Sequence, residues 1–355
     1  MLIVTFVFCL VVLIAFQAGN KKSEKGLLTA FSVLLFFFAL RGHYGNDYQN
    51  YLDIFNQING YGRTGQNLGR YEFGWLIVNK ILGPIGFHAV LFAHLILLLY
   101  PFYLLIQRYV PSKLWWLSVF LICFNPSVFL LSLSMLRQSA AQSLILLSVD
   151  AILLSKRMRS ICFAGSALLF HYSSAVFFPF VFLKDLFKKI KPALLLVIIA
   201  VVLYVLSTND AVVEYLLVSI TTNEQVMEEY GNYAMIESEG GSGYGVLLQY
   251  LFLLPALFCI KKLDESDYLL IFLYLVGFLF VPFGKFMVLF LRLSGYFTIF
   301  SIFLLPRLIS KCSIKIVNIV TYLMMFVYFL YSYYQFFYSA TYGRYFMNYT
   351  LFFFE

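Results

Sequence analysis

The chain has 355 residues, 62% of them hydrophobic and 12% charged, with a formal net charge of +8. Soluble domains average about 45–50% apolar and about 25% charged residues, so an ordinary soluble domain is excluded. Several apolar stretches reach the ~17–25 residues that a membrane-spanning helix needs. No polar, basic domain is present to engage nucleic acid, and the excess of Lys and Arg reads as the usual enrichment of cytoplasmic loops.

In chain order, the candidate spans are 2–18, 26–40, 87–107, 114–134, 138–155, 192–207, 246–260, 267–283, 286–306 and 316–337. The first of these is followed, not preceded, by its lysines, and no small-residue cleavage site is evident, so it reads as a retained span. Residues 41–86 form a polar outer loop, with "YEFGWLIVNKIL" as an amphipathic helix lying on the membrane. Residues 208–245 form a second outer loop with seven acidic residues and no Lys or Arg. The expectation is an all-α, polytopic integral membrane protein of about ten spans, built as a single multi-pass domain over residues 1–355.

Seventeen of the 25 basic residues fall in loops that the positive-inside tendency assigns to the cytoplasm, from Lys21, Lys22 and Lys25 to Arg307, Lys311 and Lys315. Both termini then face outward. The segment "SICFAGSALLFHYSSAVFFPFVFL" (160–183) conflicts with this count, because a single crossing would carry the lysines 184–191 outside. A re-entrant hairpin broken near "HYSS" removes the conflict, provided protein or a watery cavity receives the freed backbone groups.

Eight basic residues remain on the outer side or within the membrane: Arg41, Arg63, Arg70, Lys80, Arg137, Lys285, Arg292 and Arg344. Solvated loops account for Arg63, Arg70 and Arg344, and snorkelling for Lys80 and Lys285. Arg41 ends the second span, Arg137 opens the fifth within "SLSMLRQSAAQSL", and Arg292 lies inside "FMVLFLRLSGYFTIF". An intramembrane Arg costs about 2.5–3.5 kcal/mol on the lenient insertion scale, which makes each a functional candidate. Each also admits a plain reading, a salt bridge to Asp47, Asp53 or Glu72. Taken together the three point to an anion site, since guanidinium groups grip phosphate oxygens bidentately and keep their charge when desolvated.

Of the four histidines, His88 and His94 are six residues apart, not on one helical face, and read as satisfied core or interfacial groups. His43 is a second-rank candidate. His171 sits in a polar tetrad at the tip of the expected hairpin. Facing a cavity it would be a base near neutral pH; facing neighbouring helices it would be a structural histidine. Asp150 lies near "KRMR" and reads as a cytoplasmic-end ion pair. The cysteines Cys9, Cys123, Cys162, Cys259 and Cys312 are scattered singly, with no metal or disulfide spacing. No clustered oxygen ligands, Gly-rich phosphate loop or serine elbow is present, so neither a metal nor any other cofactor is expected.

Four stretches, in order, carry a resemblance. An Arg ending the second span before "GNDYQNY", then "LRQSAAQSL", "FHYSS" and "RLSGYF" resemble the ordered motifs of the EpsG family of Wzy-type polysaccharide polymerases, across roughly residues 35–300. Asn46 departs from the Thr most often expected there. The resemblance implies an enzyme of the bacterial inner membrane, with its active site facing the periplasm. It would act in O-antigen or exopolysaccharide assembly, joining undecaprenyl-pyrophosphate-linked repeat units into polymer. Under it, Arg41, Arg137 and Arg292 hold pyrophosphate, and His171 or Asp47 takes the proton from the acceptor hydroxyl. Tyr44, Tyr48 and Tyr51 line the sugar path, although interfacial packing explains these three equally well. A chain-length regulator and a flippase are the expected protein partners. Alternatives from the same lipid chemistry are an O-antigen ligase, a lipid-linked-sugar glycosyltransferase or a flippase for the carrier.

Overall fold

The structure, a computed structural model, describes residues 1–60, 69, 71–185, 198–199, 201–202, 205–206, 209, 211–213, 215, 244–285 and 288–354. The described residues form helices and no strand; the pairing of Arg41 with Leu351 is an isolated antiparallel bridge. Among the described residues, four helices are long and apolar enough to cross a membrane, Leu2–Asn20, Phe87–Tyr109, Glu265–Gly284 and Lys315–Tyr338. The pair Val288–Thr298 and Ser301–Lys311, bent by 46°, makes a fifth if it is one span. The protein is thus membrane-embedded and all-helical, with four or five spans recognisable by length and composition among the described residues where about ten were expected of the chain.

The difference arises where apolar sequence is interrupted. The helix Glu24–Ala39 is 16 residues long. The stretch 114–134 breaks at Asn125 and Pro126 after the helix Trp115–Phe124, because proline cannot donate its N–H to a continuing helix and disfavours the α conformation before it. The expected span 192–207, most of the acidic loop 208–245, Arg63, Arg70 and the lysines 188–191 lie outside the described residues.

The chain packs as two compact units, Met1–Val181 with Phe326–Glu355, and Phe182–Met325. In the first, the helices are α1 (Leu2–Asn20), α2 (Glu24–Ala39), α3 (Tyr48–Asn59), α4 (Phe73–Leu82), α5 (Phe87–Tyr109), α6 (Trp115–Phe124), α7 (Leu136–Leu153) and α8 (Arg157–Leu168). At the centre lies α7, buried along its whole length except at Arg137 and Leu153. Its sequence explains this: Leu, Ala, Ser and Gln surround it on every side, with no charged stripe to turn toward water. In lipid, such a helix is held by close packing and interhelical hydrogen bonds. Two of these set its direction against α5: His94 Nε2 to Ser139 Oγ at 2.7 Å near the start of both helices, and Arg108 Nη1 to Asp150 Oδ2 at 2.6 Å near the end of both. The two helices therefore run parallel. Asp150 forms the ion pair expected of it, completed by the Tyr109 hydroxyl at 2.9 Å.

Helix α8 turns back along α7, tied to it by Ser148 Oγ and Ser160 Oγ at 2.8 Å. It ends at Leu168, and a 3-10 segment, Tyr172–Phe182, begins beyond a short turn. The break expected at "HYSS" is there, with His171 on the turn. The basic residues Arg108, Lys156, Arg157 and Arg159 gather at one end of this bundle. His171 and the first turn of α7 sit at the other.

In the second unit, α9 (Tyr244–Leu251), α10 (Leu254–Phe258), α11 (Glu265–Leu279), α12 (Val288–Thr298) and α13 (Ser301–Lys311) are followed by α14 (Lys315–Tyr338), which passes into the first unit at Phe326. Asp264 caps α11 in a capping box with Asp267. The same two carboxylates bind Arg307 and Lys311, with Arg307 Nε to Asp267 Oδ1 at 2.8 Å and Lys311 Nζ to Asp264 Oδ2 at 2.7 Å. This network places the start of α11 beside the end of α13, so the basic clusters at 261–262 and 307–311 share one end of their unit, as the charge count requires.

Candidate functional site

The outer loop contributes more structure than its polarity announces. Tyr48, Tyr51, Ile54 and Phe55 recur at helical spacing along α3 and bury against Trp75, Phe87, Val90 and Leu136. Helix α4 packs beside it, with Tyr51 and Trp75 rings at 5.2 Å. At the start of α4 the Gly74 N–H donates to the Leu169 carbonyl at 2.7 Å. A Cβ at position 74 would lie 2.7 Å from that carbonyl oxygen, so only glycine permits the approach. The contact sets the first turn of α4 against the turn that carries His171.

Glu72 occupies the junction. Its Oε1 lies 2.9 Å from His171 Nδ1 and its Oε2 2.5 Å from Arg137 Nη1. The Glu72 side chain is 3% exposed, whereas those of His171 and Arg137 are 23% and 24% exposed. The carboxylate is thus the floor of the group, and the imidazole and guanidinium are its open face. Burial alone would push the Glu72 carboxyl up; the hydrogen bond with His171 and the charge of Arg137 outweigh it and hold the pKa at about 2. Arg137 also bonds the Tyr51 hydroxyl and lies 5.2 Å from the centre of the Tyr71 ring. A base candidate and a cation candidate, 34 positions apart in the chain, share one carboxylate.

Arg41 makes a different corner. It is fully buried, and its guanidinium donates to the carbonyls of Phe38 and Leu133, each at 3.3 Å, while Nε has no hydrogen-bond partner. The chain after α14 closes over it. Gly42 N–H donates to Thr350 O at 2.9 Å and Phe352 N–H to Leu40 O at 3.1 Å, and Tyr349 stacks on Phe37 with centroids 4.3 Å apart. Gly45, at φ 121°, passes so near Ser134 that a Cβ would lie 2.7 Å from its hydroxyl. The hydroxyls of Tyr44 and Ser134 are buried here without partners, as is Arg41 Nε.

The other expected residues are distributed as follows. Asp47 is half-buried at the N-terminus of α3, where Asn46 Nδ2 donates to it at 3.3 Å. Tyr44 is buried among Phe346 and Tyr349, and Tyr48 against Phe87 and the His43 ring. Of the three tyrosines, Tyr51 is the one bonded to Arg137. Arg292 is half-buried on α12, in the second unit. His94 is a core histidine, as expected, but only half satisfied: Nε2 meets Ser139 Oγ at 2.7 Å, while the buried Nδ1 has no hydrogen-bond partner. Sequence reasoning named Glu72 only as an ion-pair partner; the joint hold on His171 had no signature, since residues 72, 137 and 171 share no local spacing. The helix α3 did have one, in the i, i+3, i+7 spacing of Tyr48, Tyr51 and Phe55.

No curated protein and no solved structure matches the chain. The EpsG family profile matches residues 26–351, nearly the whole chain. That span takes in both arginine corners, the His171 turn and the tail that closes over Arg41, in a bundle of apolar helices; the chain belongs to the EpsG family, a Wzy-like polymerase family, and is a polysaccharide polymerase-like membrane protein.

Proposed function

We propose that the protein joins undecaprenyl-pyrophosphate-linked oligosaccharide repeat units into O-antigen or exopolysaccharide, as a metal-independent glycosyltransferase of the bacterial inner membrane working on the periplasmic side. The observation that carries this reading is the Glu72 carboxylate bridging His171 and Arg137, which sets a proton acceptor beside a fixed positive charge. These residues lie at the end of their bundle away from Arg108 and Lys156, the end that the positive-inside tendency turns outward.

In the reaction, a hydroxyl of one repeat unit attacks the anomeric carbon of the other glycan. The bond from that carbon to the phosphate oxygen breaks, its electron pair leaves with the carrier pyrophosphate, and the hydroxyl proton passes to His171. Pyrophosphate needs no proton to depart, but charge builds on its oxygens, and positioned guanidinium groups stabilise it. Arg137, on the open face of the group, is assigned that task, and Arg41 and Arg292 are candidates for it from the sequence. Asp47 is the second candidate for the base, and Tyr44, Tyr48 and Tyr51 are the candidate wall of the sugar path, Tyr51 being tied to Arg137. A chain-length regulator and a flippase are the proposed protein partners.

The test is a glycan ladder from cells carrying His171→Ala, compared with wild type and a deletion. A base is needed only if a bond is made, so single repeat units should reach the surface acceptor and long chains should be absent. A normal ladder would move the base to Asp47. A bare surface would replace polymerisation by transport of the carrier lipid.

A further inference from the structure

We propose that Glu72 is the positioning residue of the proton-transfer step, holding His171 by Nδ1 so that Nε2 is the nitrogen offered to the acceptor hydroxyl. The inference rests on the polymerase reading above and adds to it a residue and a tautomer.

The two carboxylate oxygens divide their work, Oε1 at His171 Nδ1 and Oε2 at Arg137 Nη1. An ionised carboxylate only accepts hydrogen bonds, so Nδ1 carries the proton that faces Glu72, and in the neutral ring the lone pair is on Nε2. Arg137 keeps the carboxylate ionised, so Glu72 orients the ring and stabilises the imidazolium formed in the reaction without itself taking the proton. Glu72 stands at the N-cap of α4 without a side-chain cap bond there, and the backbone N–H that its carboxylate meets is its own. The backbone holds the two partners together from both sides, through the Gly74 N–H to the Leu169 carbonyl, two residues before His171. Burial adds to the effect, because a carboxylate out of water orients a neighbour more firmly than a solvated one.

The experiment uses the full-length protein in detergent, with ¹⁵N-labelled histidine. Glu72→Gln, Glu72→Asp and wild type are compared, and His171→Gln identifies the His171 signals. Wild type should show Nδ1 protonated and Nε2 as the acceptor; Glu72→Gln should show a mixture of tautomers. Activity is followed on lipid-linked oligosaccharide extracted from host cells lacking this protein. In Glu72→Gln, kcat should fall by about 10²-fold, with KM within about twofold, the mark of an interaction made in the transition state.

A purely structural Glu72 would lower the yield of folded protein and leave the tautomer and the kcat of the folded fraction unchanged, which overturns the proposal. Should Glu72→Gln fail to fold, Glu72→Asp keeps a charge for Arg137 while drawing the carboxylate back from His171. A folded Glu72→Asp with wild-type kcat and mixed tautomers would equally overturn it. If wild type itself makes no polymer from the extract, the polymerase reading fails instead, and the nitrogen spectra still decide whether Glu72 sets the tautomer.

Discussion

Arg41 and Arg137 looked alike in the sequence, each an arginine at the outer end of an apolar helix, and the fold treats them oppositely. Arg137 is a quarter exposed and its charge is matched by Glu72 at 2.5 Å. Arg41 is wholly buried, and its guanidinium donates to the carbonyls of Phe38 and Leu133. The first is a balanced pair open to its surroundings. The second is a positive charge that neutral dipoles solvate and that no carboxylate of the described residues pairs with. The lesson is that a misplaced charge has two physical meanings. One is half of a pair that would be costly to break. The other is an uncompensated charge, costly to keep and neutralised only by an anion from elsewhere.

The largest expected difference is in stability. Arg137→Met removes the partner of a buried carboxylate and should cost about 3–5 kcal/mol, with Glu72→Met/Arg137→Met restoring most of it. Unfolding of the solubilised protein in denaturing detergent measures both, and a double variant no better than the single would break the pair's place in the comparison.

Acid should reveal the same pair. The folded Glu72 carboxyl has its pKa at about 2, below the ordinary 4.5, so between those values the unfolded chain binds more protons. Its stabilisation is complete above pH 4.5 and lost as pH falls through 2, amounting to about 3 kcal/mol at ~1.4 kcal/mol per unit. Subtracting the acid unfolding curve of Glu72→Gln from that of wild type isolates this contribution; identical curves would mean that the carboxylate is unpaired in solution.

Gly74→Ala places a methyl group against the Leu169 carbonyl and should cost about 2 kcal/mol by overpacking. It should also move Glu72 off His171 and shorten the glycan ladder, while Gly165→Ala, with open space around its Cβ, leaves the ladder unchanged. Equal ladders from the two variants would show that the approach of α4 to the His171 turn does not matter for chain growth.

The smallest effect carries the opposite sign. Arg41→Met removes a buried, uncancelled charge at the loss of two long hydrogen bonds, and should raise stability by about 1 kcal/mol while shortening the polymer. A clear loss of stability with a normal ladder would make Arg41 a structural bridge between Phe38 and Leu133.

How much of this was legible in advance depended on the range of the interaction. The break near "HYSS" was readable because a single crossing would carry the lysines after it to the wrong side, and a cytoplasmic-end ion pair for Asp150 because a lone acid there needs a cation, although the cation is Arg108 and not the adjacent "KRMR". Helix α3 was legible in principle, since Tyr48, Tyr51 and Phe55 repeat at helical spacing, but a polar loop drew attention away from the pattern. The tyrosines chosen for a sugar path show the reverse: Tyr44, Tyr48 and Tyr51 are all buried, and an aromatic ring looks the same in a sequence whether it meets a sugar or another ring.

Composition by itself determined the membrane class and the helical architecture, because hydropathy is a sum over local residues and lipid admits few backbone solutions. It also singled out Arg41, Arg137 and His171, because a charged or polar group in an oily run is conspicuous wherever it ends up. Only the tertiary structure decided what those residues meet. Glu72, Arg137 and His171 come from three elements, brought together by the glycine contact of α4 and the central position of α7. The cover over Arg41 comes from residues more than 300 positions away, Tyr349 and Leu351 among them. Whether a charge is cancelled depends on distances of a few ångströms, and residues so far apart in the chain acquire such distances only through packing.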